Sequence, residues 1–466
     1  MMGALRSARG HRAHLPLRYR LSCATRGENP VSDRSTKPAA PRTHLGGLTT
    51  LERNWVLYDV ANSAFVLLST AVVPIYLNGL LEAAGHSNVV TSFGYAQTIA
   101  SLVVAILMPI LGSLADFQGK KIKFFLGFFL TGLVCCVGMA MPLGWLAFLF
   151  VYVLATIGLN SSMTFYDAML VDVTTDERMD KVSSSGYAWG YVGSTIPFLV
   201  CLAVIFGGPA IGIPTALATR ISFIITAAWW LAFTIPLVKS YKQVHFKVKG
   251  EGERTGAGTA VAATFRGLAA TMRKIARDKT LLYFMVAFFF YIDGVHTVIA
   301  MSTSYGTQLG IDSTQLVLAL LVTQFVAFPS AIAYGRLAGR FGTWRMIVIA
   351  VVAYLCIVFF AAFFLKTAAE FWVLAIAVGL FQGGIQALSR SYFGKLIPKE
   401  NANEFYGFFD VFGRYASVMG TLLVSVFTQI TGNASIGVLS IAIILGIGLV
   451  FLLRMPRPAA GKPGAR

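Results

Sequence analysis

Charge is what this chain has least of, and negative charge least of all. Only 12% of its 466 residues are Asp, Glu, Lys or Arg, and the acids number 20 against 38 bases. A soluble domain keeps about a quarter of its residues charged, so a surface that faces water all round is excluded. Histidine is scarce too: His11, His14, His44, His86, His245 and His296 are scattered, with no metal-ligand spacing and no nucleophile–base pairing. That pattern offers no catalytic residue, no metal site and no call for a cofactor. The five cysteines (Cys23, Cys135, Cys136, Cys201, Cys356) are odd in number, and four lie inside apolar runs. They make neither a disulfide framework nor a zinc motif, and read as small core residues. A Walker A sequence is missing, so ATP is not the expected source of energy. A carbonyl-filter sequence is missing as well, which argues against a channel.

What is present is apolar. Hydrophobic residues make up 56% of the chain and the mean hydropathy is +0.70. Many runs reach the roughly 20 residues that cross a bilayer as a helix. Backbone polar groups cannot stay unpaired in lipid, so such runs are helices; alternating barrel strands would be far less apolar. Twelve are expected, making an all-α polytopic membrane protein of two six-helix halves. The expected division is a disordered basic tail over 1–50, a first half over 51–238, a cytoplasmic linker over 239–280, a second half over 281–455 and a tail over 456–466. The first 50 residues are Arg-rich with no apolar run for a secretory signal; an early start site and an organelle transit peptide are the other readings of them.

The net charge of +18 raises nucleic acid as a partner, but the bases sit in loops and termini rather than on one face of a domain. On the expected spans, 35 of the 38 Lys and Arg fall in the termini and alternate loops. Under the positive-inside rule both termini are then cytoplasmic, in a multi-pass protein of the cell membrane. The expected partners are the bilayer, a small-molecule substrate and protons, with the chain a monomer. Within the linker, Val261, Phe265, Leu268, Met272 and Ile275 share one helical face, opposite Arg266, Arg273, Lys274 and Arg277. Such a helix lies along the inner leaflet or docks on the ends of the bundle.

One turn organises the whole. GSLADFQGKK (Gly112 to Lys121) joins two apolar runs, and a weaker copy, GRLAGRFGTW (Gly335 to Trp344), recurs at the matching place in the second half. Gly112, Leu114, Ala115 and Gly119 align with Gly335, Leu337, Ala338 and Gly342, while Gly339 replaces Asp116. So short a turn makes its flanking helices antiparallel neighbours. Asp116 is expected to latch the halves at a helix N-terminus, where the helix dipole holds a carboxylate. Gly112 and Gly119 shape the turn, and Lys120 and Lys121 are expected to anchor at headgroups.

Six plus six spans, a basic central loop and this repeated turn resemble the major facilitator superfamily. WVLYDVANSAF (Trp55 to Phe65), DGVHTV (Asp293 to Val298) and ALSRSYFGKLIPKENANEFYGFFDVFGRYAS (Ala387 to Ser417) are similar to bacterial relatives of the fungal vacuole effluxers, the autophagy-related amino-acid exporters. The chain departs from that pattern at Val60, where Trp is usual, and at Gly420-Thr421, where Gly-Pro is usual. The resemblance implies a secondary transporter and, by extension, amino-acid efflux. A polytopic membrane enzyme or a non-transporting membrane partner protein is the alternative.

Polar groups inside the spans are costly and point to function. Asp293 is expected near mid-bilayer with His296 one turn on, where two titratable groups can share a proton; a packing role between helices is the competing account. Asp410 and Arg414 are spaced i, i+4, for an ion pair or for capture of a substrate carboxylate. Asp59 and Asp167 fall near span ends, where the plainer account is a solvated acid. Asn62 extends the polar face of Asp59 inward. Asn160, Gln324, Gln382 and Gln386 complete polar stripes on lining spans. Gly186-x-x-x-Gly190 and Gly379-x-x-x-Gly383 read as close helix packing.

Overall fold

The computed structural model describes residues 47–86, 89–248, 269–308 and 310–456. The basic tail, residues 249–268 and the last ten residues lie outside that range. The expectations placed on them, including Val261, Phe265, Leu268 and Arg266 of the linker, lie outside the described residues.

The described chain is helical almost throughout. The first group of helices is α1 (Thr50–Ala71), α2 (Val73–Ala83), α3 (Val89–Ala115), α4 (Lys121–Gly138), α5 (Trp145–Val173), α6 (Asp176–Gly207) and α7 (Thr215–Ser240). A short helix over 269–277, α8, follows the linker. The second group is α9 (Lys279–Gln308), α10 (Ser313–Phe341), α11 (Thr343–Phe363), α12 (Ala368–Leu396), α13 (Ala402–Thr431), α14 (Ala434–Leu439) and α15 (Ile441–Arg454). Among the described residues, ten helices are long and apolar enough to cross a membrane, or eleven if α1 and α2, bent by 41° about Val72, form one span. The expected single first span is therefore broken, with Pro74 opening α2 where its missing N–H costs nothing. Helix α13 has length for a crossing, and among the described residues its apolar stretch runs over Met419–Thr431.

Capping fixes where helices begin. Thr49 and Glu52 form a capping box on α1, and Thr367 and Glu370 form another on α12. Each satisfies N–H groups that the first turn leaves unpaired. In α8, Thr271 and Ile275 are buried, while Met272, Arg273, Lys274 and Arg277 are exposed. One narrow side of that helix therefore docks on the protein, and Met272 does not share it.

Packing within the first group runs α1 on α6 and α7, and α4 on α5; in the second, α9 packs on α13 and α15, and α11 on α12. Between the groups, α3 crosses α13 and α6 crosses α10, while α5 and α12 lie nearer the middle. Small residues set both crossings. A Cβ on Gly112 would lie 2.5 Å from the Asn403 carbonyl oxygen, and one on Gly407 would lie 2.9 Å from that of Met108. At the other crossing, a Cβ on Gly335 would lie 2.7 Å from Ser184 Cβ. The aligned glycines of the two repeat copies thus permit the two matching contacts between helix groups. The later aligned glycines, Gly119 and Gly342, both take positive φ (66° and 92°), a turn conformation that a side chain would strain.

Candidate functional site

A cavity of about 410 Å³ opens between the two helix groups, within the usual range for a small-molecule site. Polar groups from both groups line it: Gln97, Asn160 and Asp167 from α3 and α5, and His296, Gln386, Arg390 and Asp410 from α9, α12 and α13. Phe288 and Phe409, stacked at 4.0 Å between centroids, give it one aromatic wall, and Tyr187 contributes another.

Arg390 is the centre of the arrangement. It is 2% exposed, deep in α12. Its Nη1 donates to Asp167 Oδ1 (2.8 Å), its Nη2 to Asp59 Oδ2 (3.2 Å) and to the Ser183 carbonyl (3.1 Å), and its Nε to Ser183 Oγ (2.9 Å). The guanidinium lies over the rings of Trp55 and Tyr187, at 4.7 and 4.5 Å from their centroids. Four helices, α1, α5, α6 and α12, therefore meet on one cation. A buried charge is tolerable only when paired and hydrogen-bonded in this way. Gly186 makes the approach possible, since a Cβ there would overlap the Asp59 carboxylate and lie 3.0 Å from Arg390 Nη2.

The expectation of solvated end-of-helix acids fails for Asp59 and Asp167, which are 7% and 8% exposed and both bound to Arg390. Sequence reasoning missed Arg390 itself, because the charge asymmetry counts it among the loop cations. The available signal was its place four residues after Gln386 on the polar stripe of α12, which carries that stripe one turn further.

The other expected residues separate into two sets. Asn160, His296, Gln386 and Asp410 line the cavity, and Thr164 donates to Asp410 Oδ2. The Arg414 side chain lies outside the described residues. Away from the cavity wall, Asn62 donates to the Tyr58 carbonyl within α1 (2.8 Å), and Gln382 donates to Gln324, joining α12 to α10 (3.4 Å). Asp293 is fully buried; its Oδ1 accepts from the Gly420 N–H of α13 (3.0 Å) and from Thr297, and its Oδ2 has no hydrogen-bond partner. Among the described residues no hydrogen bond or ion pair joins Asp293 to His296.

At the end bearing the repeated turns the groups are tied shut. Asp116 Oδ1 accepts from the Asn403 backbone N–H (2.9 Å) and side-chain amide (2.8 Å), and Oδ2 from the Glu404 N–H (3.4 Å), all at the N-terminus of α13. Lys247, in the chain just after α7, bridges Asp116 (3.3 Å) and Glu404 (3.0 Å). Burial pushes the Asp116 carboxyl up to about 6, against the opposing pull of Lys247, Lys121 and the Asn403 hydrogen bonds. Lys120 is exposed, but Lys121 is fully buried and pairs with Asp172 (2.7 Å), so it is not a headgroup anchor. At the other crossing Asp180, on α6, accepts from Thr343 (2.6 Å), Ser391 (2.6 Å) and Lys395 (2.6 Å). The carboxylate lost at Gly339 is thus supplied by the opposite helix group.

The family model described as "Vacuole effluxer Atg22 like" matches residues 51–462. The chain belongs to that family. Among its relatives is the uncharacterized MFS-type transporter YxiO of Bacillus subtilis (strain 168), 45% identical over 416 residues, which are 88% of this chain and 95% of YxiO. Autophagy-related protein 22-1 of Neosartorya fischeri is 23% identical over 63% of this chain, which spans only 51% of the fungal protein's length. The fold of this Atg22-like protein matches the proton:xylose symporter XylE with a TM-score of 0.68 at 11% identity, covering 87% of this chain and 95% of XylE. It also matches a bacterial homologue of the iron transporter ferroportin in its outward-facing state (TM-score 0.65, 12% identity, 87% and 98% coverage). The chain is therefore a multi-pass membrane protein with the major-facilitator fold, in a transporter family rather than an enzyme class.

Proposed function

We propose that this protein is a secondary active transporter of a small polar metabolite, of the amino-acid type, working by alternating access and coupled to protons in the cell membrane. The observation that carries the reading is a charged cavity between two helix groups, tied shut at one end by Asp116 and Asp180. Rocking of the groups about the Arg390 knot would open that end and close the other. In this reading α1 with α2, and α13, complete twelve crossings. Residues 51–238 and 281–455 are the halves, 239–280 links them, and 1–50 and 456–466 are tails. The tied end and both termini face the cytoplasm, and the chain acts as a monomer.

Proton coupling is assigned to the face of α9 that carries Asp293 and His296. His296 meets the cavity and Asp293 holds an N–H of α13, so a proton on that carboxyl changes the grip on a helix that moves between states. Asp293→Asn should abolish gradient-driven accumulation yet keep counterflow exchange, which needs no net proton movement. Accumulation equal to wild type from pH 5 to 8 would make Asp293 a packing residue. The transport reading itself is tested by counterflow of labelled amino-acid mixtures into proteoliposomes; no exchange with any mixture would refute it.

A further inference from the structure

We infer that the cavity recognises a positively charged amine, and that Asp167 receives it. The inference rests on the transport reading for its purpose but on the site's own charges for its argument.

The obvious anion receptor, Arg390, already uses four of its five N–H donors within the protein. Its three nitrogens donate to Asp59, Asp167, Ser183 Oγ and the Ser183 carbonyl, and its carbon lies 4.7 and 4.5 Å from the ring centres of Trp55 and Tyr187. A ligand carboxylate reaching it would have to compete with Asp59 and Asp167, two buried acids that lose their counter-charge when displaced. The carboxylates, in contrast, outnumber the cation. Asp59 and Asp167 set two carboxylates against one guanidinium, with all three side chains buried. Counting Arg414, four residues on from Asp410, as that residue's full counter-charge still leaves this excess.

Of the two carboxylates, Asp167 borders the cavity and Asp59 does not. Its neighbours suit an organic cation better than a bare metal ion. Phe288 and Phe409 line the same space; their rings suit the carbon stem of an organic cation and offer no oxygen ligand to a metal ion. Gln386 supplies an amide oxygen for a further hydrogen bond from a primary amine. Uncharged and dianionic solutes gain nothing from this charge balance, and a dianion meets repulsion from it.

The test is ligand-induced thermal stabilisation of the full-length purified protein at pH 8, with putrescine and L-lysine against 1,4-butanediol and glutarate. Putrescine or L-lysine should raise the melting temperature in a saturable way, and glutarate should leave it unchanged. Asp167→Asn retains an acceptor for Arg390 while matching one acid to one base, and should weaken the apparent affinity for the amines at least tenfold. Asp59→Asn restores the same balance without touching the cavity wall and should do the same, which covers the case that Asp167→Asn fails to fold. Stabilisation by glutarate or 1,4-butanediol in place of the amines, no stabilisation by either amine, or amine affinity unchanged in these variants would overturn the inference. Counterflow is read separately: an amine that binds without flux counts against transport and not against this site, and flux of an anion without amine binding does the reverse.

Discussion

At the scale of single residues, the molecule depends on Arg390. Replacing it with Met leaves Asp59 and Asp167 buried and facing each other, and breaking a buried pair in this way costs about 3–5 kcal/mol. Arg390→Met should therefore melt well below wild type in detergent. Arg390→Lys should fall between, because one ammonium cannot serve Asp59, Asp167 and Ser183 together or stack on Trp55 and Tyr187. A wild-type melting temperature for Arg390→Met would show that the knot is solvated. Asp116 gives a prediction of opposite sense. Its carboxyl titrates near 6 when the tied end is shut, and near the ordinary value of 3.8 once that end opens to water. The shut state thus binds the proton more tightly, and closure is favoured as pH falls from 7 toward 5 and opposed as pH rises through 6. Lys247, Lys121 and Glu404 are the charged groups that surround it. Hydrogen exchange at the Asn403 and Glu404 amides, corrected for intrinsic rate, should slow on acidification in wild type and lose this dependence in Asp116→Asn. How little of this was legible from sequence has a physical cause. A lone Arg near the end of an apolar run looks like a loop cation until the helices opposite are known, and Asp59, Asp167 and Ser183 are 331, 223 and 207 residues away. The same holds for Lys121, whose partner Asp172 comes from another helix.

At the scale of elements, much more was readable. Apolar runs of bilayer length specify helices almost without tertiary help, since nothing else pairs the backbone in lipid. The repeated turn, with its aligned glycines, marked both crossings before any contact was known. The bend at Val72 was not marked, because a bent helix keeps enough apolar residues to look like a plain span. The second crossing was only half legible: Gly339 suggested a weakened copy, whereas the structure puts a carboxylate there from α6. Asp180 holds Thr343, Ser391 and Lys395 at once, so Asp180→Asn should loosen α6 from α11 and α12. In a background freed of native cysteines, a cysteine at Ser184, buried against Gly335, should react with a small thiol reagent at least fivefold faster when Asp180 is Asn. An unchanged rate would mean that Asp180 does not help to hold this end shut.

At the scale of the whole molecule, orientation and motion are the claims at stake. Cysteines introduced near residue 30, at 250–258 and beyond Arg457 should all label only from the cytoplasmic side, and an externally labelled linker would reverse the assignment. Alternating access itself requires the two ends of the cavity to move in opposition. The most direct measurement is a pair of spin-label distances in lipid nanodiscs, one between Lys120 and Glu400 at the tied end and one between Thr98 and Gln429 at the other, all four being exposed positions. The Asp116→Ala/Asp180→Ala double variant removes both carboxyl groups and with them both ties. It should lengthen the Lys120–Glu400 distance and shorten the Thr98–Gln429 distance relative to wild type. Both distances unchanged, or both lengthening together, would contradict a transporter that opens one end at a time.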